Sequence, residues 1–187
     1  MCLEKQPLEI LNKKEGVLKT SVFLFPIIFI FCIIILKAIS PGWYRLLAWQ
    51  EDSPIECATS ICYFLSFVIS FSIATTFFKR SFFLYSLLYF LLSIGFIFVS
   101  GEEISWGQRI FSIETPEFFM THNYQKEINL HNISGVPLHM LYIIIGFYGA
   151  FAWLIIPGKI KACHISKMNF FVPGYSLFFY FFTVFAL

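Results

Sequence analysis

The sequence predicts an all-α fold: a polytopic transmembrane helical bundle of about five spans, with a long structured exoplasmic loop between spans three and four. Three observations carry this reading. The 187 residues are 58% hydrophobic, include 26 Phe and hold only 13% charged residues. A soluble domain of this size has too little interior for so much apolar surface. Five apolar runs, about 21–39, 55–78, 82–100, 137–156 and 169–187, each offer about 18–24 residues, or roughly 27–36 Å of helix, against a hydrocarbon core of about 30 Å. A β-barrel needs short alternating segments instead. Finally, the basic residues divide to one side.

With the N-terminus cytoplasmic, the inner segments hold Lys5, Lys13, Lys14, Lys19, Lys79, Arg80, Lys159, Lys161 and Lys167. The outer segments hold Arg45, Arg109 and Lys126, and Lys37 lies near the outer end of the first span. The positive-inside rule selects this orientation. The acids divide the other way: Glu51, Asp52, Glu56, Glu102, Glu103, Glu114, Glu117 and Glu127 all fall outside. Segments 40–54 and 101–136 therefore share one face, where the polar chemistry collects.

The elements follow in order. Residues 1–20 are a polar cytoplasmic segment, and the run behind them is too long for the apolar core of a cleavable signal. In "WQEDSPIE", Ser53 is the expected helix N-cap, Pro54 fits the first helical position and Glu56 completes a capping box. Glu51 and Asp52 lack such a structural account. Three acids so close repel one another unless a cation, an Arg or shared protons intervene. Lys79-Arg80 joins spans two and three so tightly that they must form an antiparallel hairpin. Pro157-Gly158 ends the fourth span, and the basic stretch to Lys167 can rest on anionic head groups. The last run ends at Leu187 in "FFYFFTVFAL" without a polar flank, the pattern of an outer terminus or of a longer chain. The five cysteines show no CxxC and read as small apolar residues within helices.

The 101–136 loop, about 36 residues, exceeds ordinary connections, and loops of that length carry function or structure of their own. It opens with "GEEISWGQRIF". Continuing the third span past Gly101 at about 100° per residue places Glu102, Ser105, Trp106 and Arg109 on one face. Glu102 and Arg109 then lie two turns apart, about 10 Å along the axis, with Ser105 between them. Charged residues at a span's end and an interfacial Trp are ordinary anchors. Two adjacent carboxylates against hydrocarbon are costly, which favours a role for Glu102, Glu103 or Arg109. "SIETPEFF" repeats the cap: Thr115, then Pro116, then Glu117, opening a short helix to about Lys126 with Phe118 and Phe119 available to the interface. "HNYQKEINLHN" adds His122, Asn123, Gln125, Glu127, Asn129, His131 and Asn132, without HxxxH, HExxH or another recognised metal spacing. His139, near the start of span four, is expected to face the bundle interior.

The strings "WQEDSPIE" and "GEEISWGQRIF…TPEFF…NYQKEINLHN", within about residues 49–135, resemble a pattern of uncharacterised bacterial multi-pass inner-membrane proteins. The resemblance implies an inner-membrane location and brings no reaction with it. Alkaline ceramidase-like hydrolases, which hold zinc through histidines, match poorly, because their HxxxH pair is missing.

The resulting expectation is a single membrane domain, 1–187, with an exoplasmic polar site. Glu102, Glu103, Arg109 and His131 are the candidate catalytic groups. Glu51, Asp52, Ser105, Trp106, Asn129, Asn132 and His139 are the candidate binding groups. The carboxylates would bind a divalent cation or act as acid and base, Arg109 would hold an anionic group, and His131 would move protons or ligate metal. The partner is the lipid bilayer, with a lipid head group or lipid-linked molecule as substrate and no nucleic acid. The rival is a non-catalytic subunit, scaffold or sensor whose polar network only holds loop to helix. A transporter is disfavoured because ionisable side chains within the spans are scarce.

Overall fold

A computed structural model describes residues 5–49, 53–135, 138–154 and 172–186. Those residues are helical, apart from turns and one isolated antiparallel bridge between Asn123 and Ile133. In chain order the helices are α1 (Lys5–Ile39), α2 (Pro41–Tyr44), α3 (Pro54–Lys79), α4 (Phe83–Glu103), α5 (Glu117–His122), α6 (Leu138–Phe151) and α7 (Phe178–Ala186). A π-helical turn, Arg45–Trp49, follows α2. The chain divides into two compact units, residues 37–136 and residues 1–36 with 137–187.

Three helical stretches are long and apolar enough to cross a membrane: Glu15–Ile39, one within Pro41–Lys79, and Phe83–Glu103. The predicted fourth and fifth spans meet shorter apolar helices, Met140–Leu154 and Tyr175–Phe185. The residues between these two, 155–171, lie outside the described part. Burial is inverted relative to a water-soluble protein. Among the described residues the buried hydrophobic ones are Ala74, Ala150 and Ala152, whereas Ser, Asn, Gln and Glu side chains fill the interior. Phe, Ile and Leu cover the outside of α1, α3 and α4, as expected where hydrocarbon is the solvent.

In the 37–136 unit, α3 and α4 form the predicted hairpin. Ser53 caps α3, its Oγ accepting the Glu56 N–H at 3.2 Å, with Pro54 first in the helix. At the other end, Phe82 N–H donates to the Phe77 carbonyl and Ser81 N–H to the Phe78 carbonyl, both at 3.0 Å. Ser81 sits at φ 60, and the Phe77 and Phe82 rings meet edge to face at 6.2 Å. This is a Schellman ending with its apolar contact, built on Ser where Gly is usual. The two helices then run side by side on small residues. Ser60 and Ser100 exchange hydroxyl-to-carbonyl bonds of 2.9 Å in both directions, and Ser86 Oγ donates to the Ala74 carbonyl at 2.9 Å. Small hydroxyl residues let backbones approach while satisfying their own polarity.

In the other unit, α6 and α7 meet at glycines. A Cβ on Gly146 would lie 2.5 Å from the Phe185 nitrogen, and one on Gly149 would enter the Phe181 ring. Phe23 on α1 packs edge to face on Phe179 of α7 at 4.7 Å.

Candidate functional site

The polar residues singled out in sequence gather at the end of α4, but not on a continued helix. α4 stops at Glu103, and Ser105, Trp106 and Gly107 all take left-handed backbone angles, with φ of 47, 55 and 75. The expectation that Glu102, Ser105, Trp106 and Arg109 share one helical face is thereby corrected. For Ser and Trp such angles cost about 1 kcal/mol or more each and persist only where surrounding contacts hold them. Two buried carboxylates supply those contacts.

Glu102 is the first. One oxygen accepts the Trp106 indole N–H at 2.6 Å. The other accepts two consecutive backbone N–H groups, Leu130 at 2.5 Å and His131 at 3.0 Å. His131 Nδ1 lies 3.4 Å from the same oxygen. Gly101 makes the indole's position feasible, because a Cβ there would come within 2.8 Å of the Trp106 ring. Phe98 meets the ring's other neighbourhood edge on, at 5.7 Å.

Glu127 is the second. Its carboxylate accepts from the Ser105 hydroxyl and the Arg109 guanidinium, and from Asn129 Nδ2 at 3.4 Å. Asn129, almost fully buried, also donates to Ser105 Oγ at 3.0 Å. Asn123 Nδ2 in turn donates to both the backbone and side-chain oxygens of Asn129, at 2.8 and 2.7 Å. Gln108 ties the remaining strands of the loop: its Oε1 accepts the Ile128 N–H at 2.7 Å and its Nε2 donates to Thr115 Oγ at 2.5 Å. Thr115 donates onward to the Lys126 carbonyl at 2.9 Å. It is therefore a loop tie and not the cap of α5, which begins at Glu117 after Pro116 and ends at His122, short of the expected Lys126. Residues 104–135 thus form a compact cap whose interior is hydrogen-bonded polar side chains. No buried side-chain nitrogen or oxygen among the described residues lacks a partner.

The structure brings together Glu102, Ser105, Trp106, Arg109, Asn129 and His131. Asn132 stands at the edge, donating to Gln125 Oε1 and lying 3.0 Å from His131 Nε2. Glu103 is half-buried and belongs to neither carboxylate knot. Glu51 and Asp52 lie outside the described residues, as does the side chain of His139, which sits in the first turn of α6. Sequence reasoning left Glu127, Asn123 and Gln108 outside the site. The available signal was Arg109 itself, one of few cations in residues 40–54 and 101–136 and so in need of a nearby carboxylate. Among the described residues, no group of three or more His, Cys, Asp or Glu side chains is arranged to hold a metal ion. No protein-family model, curated protein or solved structure matches the chain.

Proposed function

We propose that the protein is a non-catalytic integral membrane protein, a subunit, scaffold or sensor that holds residues 104–135 as a rigid exoplasmic cap on its third span. The observation that carries this reading is how the two buried carboxylates are used. Glu102 and Glu127 accept from the backbone N–H groups, hydroxyl, indole, amide and guanidinium of the cap itself. A carboxylate committed to several donors of its own fold is an organiser of that fold. Five spans and a cytoplasmic N-terminus are supported by the apolar runs and the distribution of Lys and Arg. The likeness of Gly101–Arg109 to bacterial inner-membrane proteins supports that membrane as the location.

Ala variants of Glu102, Arg109 and Glu127 test the proposal. Each is expected to lower both the steady-state amount of protein in the membrane and the protease resistance of the cap, with any cellular defect following the loss of protein. A variant with wild-type amount and resistance but an altered lipid profile would overturn it.

One observation favours a second reading, a site acting on a lipid head group. Glu103 is a half-buried carboxylate next in the chain to Glu102, whose own oxygen lies 3.4 Å from His131 Nδ1, the acid, base and ligand types such chemistry uses. Glu103→Ala selects between the two readings, since an abundant, protease-resistant E103A protein with a changed lipid profile fits only the second.

A further inference from the structure

The cap is built inside out. Its interior holds Glu102, Ser105, Gln108, Asn123, Glu127 and Asn129, while its surface carries large apolar side chains, with Ile110 71% and Phe111 73% exposed. We propose that the apolar rim formed by Trp106, Ile110, Phe111 and Ile113 lies among lipid acyl chains, at the boundary of the leaflet in which α4 ends. The inference rests on the membrane-cap reading above and adds the surface to which the cap is fitted.

Three features identify lipid as the occupant. First, the rim continues the outer surface of a membrane-crossing helix. Trp106 touches Phe98, an exposed residue of α4, so the indole is level with the final turns of that helix. Ile110 and Phe111 follow only a few residues later. Second, three backbone N–H groups under the rim are bonded within the turn itself. Phe111 N–H donates to the Gly107 carbonyl at 3.0 Å, Ile113 N–H to Gln108 at 2.9 Å, and Ser112 N–H to Arg109 at 3.4 Å. A turn that leaves the water layer needs such internal closure, because each unmet backbone group in hydrocarbon costs several kcal/mol. Third, polar side chains buried behind the rim are all paired, which removes the usual penalty for placing them near lipid. Glu114, Glu117 and Lys126 are exposed, and they set the depth: the cap rests in the boundary and does not cross it.

The test uses the unaltered full-length chain, reconstituted in vesicles of phosphatidylcholine and phosphatidylglycerol. A fraction of the phosphatidylcholine carries a diazirine in its acyl chain, and adducts are mapped by peptide mass spectrometry after irradiation. Adducts are expected on α4 and on residues 106–113. Adducts along α4 with none on 106–113 would overturn the proposal and mean that water, a second copy or another part of the chain covers the rim. Loss of adducts on α4 as well would overturn the membrane reading beneath it.

Discussion

Gly101 decides whether Trp106 can lie over the end of α4. In a helix, replacing Gly by Ala ordinarily gains about 1 kcal/mol. Here the new methyl would come within 2.8 Å of an indole held between Phe98 and the Glu102 carboxylate. Overpacking of that kind costs about 1–3 kcal/mol, so Gly101→Ala is expected to lower stability by about 1 kcal/mol net and to shift the Trp106 emission as its bond to Glu102 is lost. Thermal unfolding and fluorescence in detergent read both effects. At this scale the sequence marks the right neighbourhood: Glu102, Ser105, Trp106, Arg109, Asn129 and His131 do gather. It conceals how they gather, because a left-handed turn at Ser105–Gly107 breaks the helical face that spacing implies. Ser and Trp have no intrinsic preference for such angles. The turn is imposed by Glu102 and Glu127, the latter 22 residues from Ser105 and 18 from Arg109. Partners that distant leave no local trace.

Among the elements, the α3–α4 hairpin was legible in outline. Lys79-Arg80 marked its turn, and "SPIE" marked the start of α3 down to the Ser53 hydroxyl. The contact surface was written in a quieter signal: Ser86, Ser93 and Ser100 recur every seventh residue and are all buried, the spacing that keeps one face toward a neighbouring helix. Phe-rich composition masks it, since lipid-facing residues carry no such period. "TPE" misled for the opposite reason. Thr115 has the chemistry of a cap, but Gln108 and the Lys126 carbonyl occupy its hydroxyl. The Schellman ending of α3 allows a direct test of this element. Ser81 holds φ 60, a conformation Gly adopts without a Cβ penalty. Ser81→Gly is expected to stabilise the hairpin by up to about 1 kcal/mol, less the extra entropy of the unfolded chain. A rise in unfolding temperature in mixed micelles would bear this out, and a fall would show that the Ser side chain contributes more than its backbone strain costs.

For the whole molecule, hydropathy predicts helices and membrane-crossing length together, because a chain in lipid must satisfy its own backbone, while the placement of Lys and Arg predicts orientation separately. The described helices carry small and polar residues inside and Phe outside, the burial expected where hydrocarbon is the solvent. The distribution of Lys and Arg predicts that reporters fused after residue 80 and after residue 120 report opposite sides, the first cytoplasmic and the second exoplasmic. Activity of both on the same side would reverse the orientation or remove a span. The order of the contacts carries a further consequence. The backbone donors that satisfy Glu102 come from residues 28 and 29 positions later in the chain. During synthesis the carboxylate therefore emerges well before its partners and must wait without them. The cap closes only once Leu130 and His131 have been made. Its closure is in effect a record that the whole loop has been made, and a chain cut short of Leu130 would carry an acid whose two backbone donors are missing.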